Sequence, residues 1–360
     1  MTMLNRMIAF ALPALLAIPL GVSAQVTAPT ALPLFSFTVL PEQMNGANAM
    51  NRAGHVVGSG SAGVWFWNGT TATQLPAASA GFSDGLGINN RDDLAGTSYG
   101  ASSIGFANIG GAVQNIGAAV PDFKASYARG INDDGWVVGA LINGVGGVES
   151  RPFIYRNGSI QLLPTLGGNA GAAYAVSNNG YVTGQATLPT TPPSSGGGHA
   201  FLYQNGSMID IGALSGDDVS SGLDVNERGG VVGISARTGQ TGNRAFFYWR
   251  GRMFDLGSLG GSSTTPFAVN NYLVVVGTAS TAAQVEHGFV YAFGRMLDLN
   301  RFVDPASGWV INAALDINDS FQILVRACRT DFPLCRTVRL EPSSAIRNGG
   351  LAGLLPLFGQ

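Results

Sequence analysis

Ala173 to Gly184, AYAVSNNGYVTG, and the segment that follows it, His199 to Gly212, HAFLYQNGSMIDIG, decide the architecture. Two turn signals divide this stretch. The first is Asn178-Asn179-Gly180. An asparagine opening a turn bonds its own backbone, and glycine accepts the positive φ that ends it. The second is Asn205-Gly206 between apolar runs, the strongest short-range hairpin signal. Short strands fit between the turns: Ala173 to Val176, a second ending at Gly184, Phe201 to Tyr203, and Met208 to Ile211.

The pattern recurs along the chain. Gly222 to Gly233, GLDVNERGGVVG, continues into Arg244 to Gly261, RAFFYWRGRMFDLGSLGG. The leading asparagines are Asn51, Asn89, Asn132, Asn178, Asn226, Asn270 and Asn318, at intervals of 38, 43, 46, 48, 44 and 48. Four short strands at this period suit a β-propeller, whose four-stranded blades stack around an axis. The ends complete the count. Leu34 to Leu40 (LFSFTVL) resembles a fourth strand standing alone, and the last copy has three strands, at Ala314 to Ile317, Gln322 to Ala327 and Thr337 to Leu340. The expected fold is therefore all-β: a seven-bladed β-propeller of four-stranded antiparallel blades, closed by the N-terminal strand completing the last blade. First strands are built from small residues such as Ala173, Gly222 and Ala268, which suits a crowded axis. No stretch shows sustained helical periodicity.

Composition bounds the function. Charged residues are 11% of 360, Gly is 52, and the net charge is −2. That balance gives no electrostatic footprint for nucleic acid or an anionic membrane. At the N-terminus, Arg6, the apolar Met7 to Leu20 and the small residues Val22-Ser23-Ala24 read as a secretory signal over residues 1–24. The expected location is thus periplasmic or extracellular, with one repeat domain over 25–342 and an apolar, Gly-rich tail over 343–360. In an exported chain the neighbouring Cys328 and Cys335 read as a disulfide. Its short loop makes it worth roughly 2 kcal/mol.

His199-Ala200-Phe201, the Asn-Gly hairpin and the Asp-Ile-Gly segment resemble the HAF-type extracellular repeats of bacteria. So do Arg244-Ala245-Phe246 and Asp255-Leu256-Gly257. The resemblance runs from about Leu34 to Pro342 and implies an exported repeat protein. It implies no catalytic activity, cofactor or ligand.

Recurrent polar residues read as structural. His199 and His287 share their place with Arg151 and Arg244, and arginine does not deprotonate, so a hydrogen-bond donor is wanted there rather than a metal ligand or base. Asp210, Asp255 and Asp298 recur as acceptors in fourth strands. Asn132-Asp133-Asp134-Gly135 and Asp92-Asp93 lack the alternating acids and distal Glu of a calcium loop. No cofactor motif occurs. His55, beside a turn, reads as solvated.

Unrepeated residues are the better site candidates. Loops joining second to third strands, and those joining blades, emerge on one face. The longest is Gln185 to Gly198, followed by Leu141 to Ser150 and Ala236 to Asn243. Variable loops on a rigid scaffold are where binding evolves. The same face should carry Asp84, Asp122, Lys124, Asp217, Asp218 and Asp304 as binding candidates. The leading expectation is a non-catalytic protein binding an extracytoplasmic ligand, a glycan or an envelope protein. A glycan hydrolase or lyase would need unrepeated acids, Asp217 or Asp304 with Lys124, converging at the axis. A structural envelope component would show no pocket.

Overall fold

The computed structural model describes residues 34–358, apart from 61–62, 80, 144–148, 190–196, 330 and 332–334. The signal-like 1–24 segment and the middle of the Gln185 to Gly198 loop lie outside the described residues.

Seven four-stranded antiparallel sheets form a ring, a seven-bladed β-propeller. Blades 1 to 6 take their strands in chain order. Their innermost strands are β2 (Ala47–Met50), β6 (Ser83–Ile88), β10 (Ala125–Ile131), β14 (Gly171–Val176), β18 (Val219–Val225) and β22 (Gly260–Val269). Blade 7 is ordered β1-β28-β27-β26, from β1 (Phe35–Val39), β26 (Val310–Ile317), β27 (Ile323–Cys328) and β28 (Arg336–Pro342). The lone N-terminal strand supplies the missing fourth strand, in register from Phe35↔Pro342 to Val39↔Val338. Leu34 is tied on both sides: its N–H donates to the Phe302 carbonyl at 3.1 Å, and its carbonyl accepts from Ser343 N–H at 2.7 Å.

Each inner strand carries a β-bulge at an equivalent position, and β22 and β26 each shift register once more. The bulged residues are Asn48, Leu86, Arg129, Tyr174, Leu223, Phe267 and Leu315. The bulge explains the Val-Val-Gly motif of the second strand. A Cβ on Gly139 would lie 1.8 Å from the Tyr127 carbonyl oxygen, on Gly184 1.9 Å from that of Ala172, and on Gly233 2.0 Å from that of Ser221. Only glycine tolerates so close a backbone. The vacant space is filled from the third strand. Phe153, Phe201, Phe246 and Phe289 pair with Gly139, Gly184, Gly233 and Gly277 and are fully buried. Blade 7 replaces the pair by Val325 opposite Val338, on an inner strand whose register shifts a second time between Ile311 and Ala313.

The 3–4 hairpins of blades 2 to 6 turn through residues with positive φ at both corners, as at Asn157-Gly158 and Asn205-Gly206, and also at Arg250-Gly251 and Phe293-Gly294. These are the primed turns that match strand twist. Cys328 and Cys335 are joined as a disulfide closing the β27–β28 connection on the opposite face. The tail departs from the expectation of a helix-free chain. It forms α1 (Ser344–Gly349) and α2 (Leu351–Phe358), and Ile346, Leu354 and Phe358 are buried in the same core as blades 6 and 7. Phe358 meets Phe293 edge-on with centroids 5.4 Å apart. The helices are too short for periodicity to reveal them.

Candidate functional site

The ring encloses a bore with two different mouths. At one mouth lie the turns joining first to second strands. Asn51 accepts from Ala53 N–H at 3.1 Å and His55 N–H at 3.0 Å through Oδ1. Its Nδ2 donates to the Asn89 carbonyl of the next blade at 3.0 Å. The motif repeats around the ring: Asn89 to Asn132, Asn132 to Ser177, Asn226 to Asn270, Asn270 to Asn318, and Asn318 back to Asn51. Asparagine combines, on a short side chain, an oxygen that accepts in the local turn and a separate amide donor that reaches its neighbour.

One link is missing, and it corrects the sequence register. The equivalent residue in blade 4 is Ser177, not Asn178. Ser177 accepts from Tyr181 N–H at 3.1 Å, four residues on, as its counterparts do. The serine hydroxyl replaces the amide in the turn, and among the described residues it makes no bond to blade 5. Asn178 belongs to a second, outer ring at the next position. There its amide donates to Asp133 at 2.9 Å and Glu227 at 3.0 Å. Asn90 bonds Asp133, Asn271 bonds Asp319, and Arg52 closes onto Asp319 at 3.3 Å. Of the acids that suggested calcium, Asp92, Asp93 and Asp133 are spent on neighbours. No cluster of metal-ligating side chains occurs among the described residues. His55, expected to be solvated, lies 2.8 Å from Asp92 Oδ1 of blade 2.

The recurrent donors and acids also pair. His199 Nδ1 lies 2.9 Å from Asp210, Arg244 Nη2 2.7 Å from Asp255, and His287 Nδ1 2.6 Å from Asp298. Each acid also accepts the N–H two residues on, at Gly212, Gly257 and Asn300. In blade 3 the acid's position is Leu162, so Arg151 has no such partner there.

Inside the bore, the bulged residues line a cavity of about 200 Å³. Leu86, Leu223, Phe267 and Leu315 make its apolar lining, while Asn48, Arg129 and Tyr174 bring polar atoms to it. One step along the strands, where other blades carry Gly or Ala, stand Asp224 and Asp316. Sequence reasoning missed both, because an acid two residues before a turn asparagine carries no local signal. Each carboxyl bridges two blades. Asp224 accepts from Val225 and Val269 N–H, each at 2.8 Å, and Asp316 from Ile317 and Met50 N–H, each at 2.7 Å. Burial raises the pKa of both, against these hydrogen bonds. With the added repulsion of Asp224, Asp316 is pushed up to about 7.

The other mouth carries the blade junctions and long loops. Here the structure gathers Asp84 with residues the sequence did not single out. Ser59 Oγ donates to Asp84 Oδ1 at 2.6 Å. Burial, then a hydrogen bond to Asp84, push the Tyr99 hydroxyl up to about 12. Tyr127 lies 6.5 Å from Tyr99, centroid to centroid, and Arg129 stacks on Tyr174 at 5.0 Å. The other candidates stand apart. Asp217 accepts from Ser235 at 2.8 Å and pairs with Arg244 at 3.3 Å. Asp218 accepts from Thr238 N–H, which holds its pKa below the usual carboxylate range. Asp304 caps a short 3-10 turn through Ala306 N–H. Asp122 and Lys124 are exposed at the junction of blades 2 and 3. Lys124, Asp217 and Asp304 thus occupy three different junctions, and none of them lines the bore cavity.

No protein-family model and no curated protein matches the chain. Among solved structures, TolB from Acinetobacter baumannii aligns with a TM-score of 0.41 at 10% identity, covering 86% of this chain and 63% of that one. A gluconolactonase from Xanthomonas campestris gives 0.41 at 12% identity, with 85% and 95% coverage. A puromycin-hydrolyzing peptidase from Mycobacterium tuberculosis gives 0.46 at 13% identity, with 87% and 57% coverage. The chain thus spans less than two thirds of the TolB and peptidase chains. These likenesses assign it no ligand, substrate or partner.

Proposed function

We propose that this is an exported, HAF-type repeat propeller that binds an extracytoplasmic ligand, a glycan or an envelope protein, through its loop-bearing mouth and performs no chemistry on it. The disulfide is compatible with an oxidising compartment. One observation carries the reading. The recurrent polar residues are spent on turns and blade junctions, while Asp84, Tyr99, Tyr127 and Arg129 gather unrepeated around one opening. Unrepeated side chains on a rigid ring are available for recognition.

Asp224 and Asp316 are the acids a hydrolase or lyase would call on, since they stand in the bore. Each already holds two backbone N–H groups across a blade junction, which is a structural duty. A binding screen of the chain from Gln25 onward, against glycans and purified envelope proteins, tests the proposal. Capture that is lost in Tyr127→Ala and retained in Asn179→Ala supports it. Turnover of a glycan that vanishes in Asp224→Asn or Asp316→Asn would replace it with the enzymatic reading.

A further inference from the structure

The loop-bearing mouth holds a row of aromatic rings that the fold does not use. Phe82 and Tyr99 are 50% and 37% exposed. Their rings lie 6.1 Å apart, and that of Tyr127 lies 6.5 Å beyond Tyr99. The row is fixed by backbone. Tyr99 N–H donates to the Phe82 carbonyl at 2.9 Å, and Phe82 forms a parallel bridge with Gly63. Two residues along the strand from Tyr127, exposed Arg129 lies over Tyr174 and makes no ion pair among the described residues. Asp84, which accepts from Ser59 Oγ through Oδ1, adds a carboxylate acceptor beside the row.

Flat apolar faces beside donors and acceptors match a molecule with a C–H face and a rim of hydroxyls. Charge narrows the choice. Arg129 is the one cation lining the bore cavity among the described residues, and the Asp84 carboxylate stands at the rim. An acidic ligand would meet the Asp84 carboxylate, and a cationic one would meet Arg129. We infer that Phe82, Asp84, Tyr99, Tyr127, Arg129 and Tyr174 form a subsite for a neutral glycan. One sugar ring stacks on the aromatic row, and its hydroxyls bond Asp84 and Arg129. This rests on the proposed function and gives it a ligand class.

The test uses an array of neutral gluco-, galacto- and manno-oligosaccharides, with uronate-containing oligosaccharides and a purified envelope-protein fraction as separate arms. The best neutral oligosaccharide is then titrated calorimetrically. Phe82→Ala and Arg129→Gln should each weaken it at least tenfold without moving the melting midpoint. Tyr272→Ala, an exposed ring at the opposite mouth, should leave it unchanged. Neutral-glycan binding that survives both rim substitutions overturns the assignment. Binding of only uronates or envelope protein through this mouth overturns the ligand class and leaves the proposed function standing. No binding in any arm defeats both.

Discussion

At the turn-bearing mouth, six of seven equivalent positions are asparagine, each buried and each bonded to the next blade. At the loop-bearing mouth, the residue before the small one that precedes each bulge is Gly46, Asp84, Tyr127, Ala172, Ser221, Thr265 or Ala313. Both mouths are edges of the same seven inner strands. The difference shows where ring closure makes demands. Turns that must bond their neighbours are held to one side-chain chemistry. The opposite ends of those strands meet the preceding blade through backbone bonds, as where Ser126 N–H donates to the Ser103 carbonyl and Ser220 N–H to that of Gly198, which leaves more of their side chains free to differ.

The comparison can be broken hardest at the bulge, which sets the geometry of both mouths. Gly139→Ala places a Cβ against the Tyr127 carbonyl oxygen and should cost about 3 to 5 kcal/mol in urea unfolding. A loss under about 1 kcal/mol would show that the inner strand yields freely. Next, Asn318→Ala removes two local bonds and the link to Asn51, for an expected cost of about 2 to 3 kcal/mol. The same measurement on Asp84→Ala at the other mouth should give about 1 kcal/mol or less.

A smaller effect is set by pH. Folded Asp316 keeps its proton to about pH 7, whereas the unfolded chain loses it near the ordinary carboxyl value of about 4. Its stabilising contribution is complete below the unfolded value and is lost as pH rises through the folded one. Its side chain keeps some contact with the bore, which tempers the effect. Stability should fall by on the order of 1 to 2 kcal/mol between pH 5 and 8. Asp316→Asn should reduce that slope, leaving the part due to Asp224, whose carboxyl burial also pushes up, and an unchanged slope would assign it elsewhere. The smallest effect is a gain. Ser177→Asn supplies the amide missing from the ring and should add about 0.5 to 1 kcal/mol. A destabilised variant would mean that blades 4 and 5 are set too far apart to be linked.

Much of this fold was legible in the chain. The Asn turns, the Asn-Gly hairpins and the unpaired strand at Phe35–Val39 are local signals, and together they determine blade number and closure. What stayed hidden connects residues about one repeat apart. The three-residue spacing to glycine in Asn51–Gly54, Asn132–Gly135 and Asn226–Gly229 favours Ser177 over Asn178 as the ring member, but the deciding bond comes from Asn132 of another blade. The bulges were invisible since they break pairing register without altering composition. The same reasoning covers the site. Asp84 was visible as an unrepeated charge, but Tyr99 and Arg129 become meaningful only when blades 2, 3 and 4 are set side by side. Asp224 and Asp316 read as ordinary strand residues until the bore is drawn around them.

Residue-resolved hydrogen exchange tests the division between the mouths most directly. The amides of Ala53, His55, Trp136, Val274 and Gln322, bonded to ring asparagines, should exchange only through global unfolding, together with those of β1. At the loop-bearing mouth, Thr238, Gly257 and Ala306 N–H groups, bonded to exposed aspartates, should exchange through local opening, on the order of a hundredfold faster or more. Equal rates at the two mouths, or faster exchange in β1 and the asparagine ring, would contradict the account.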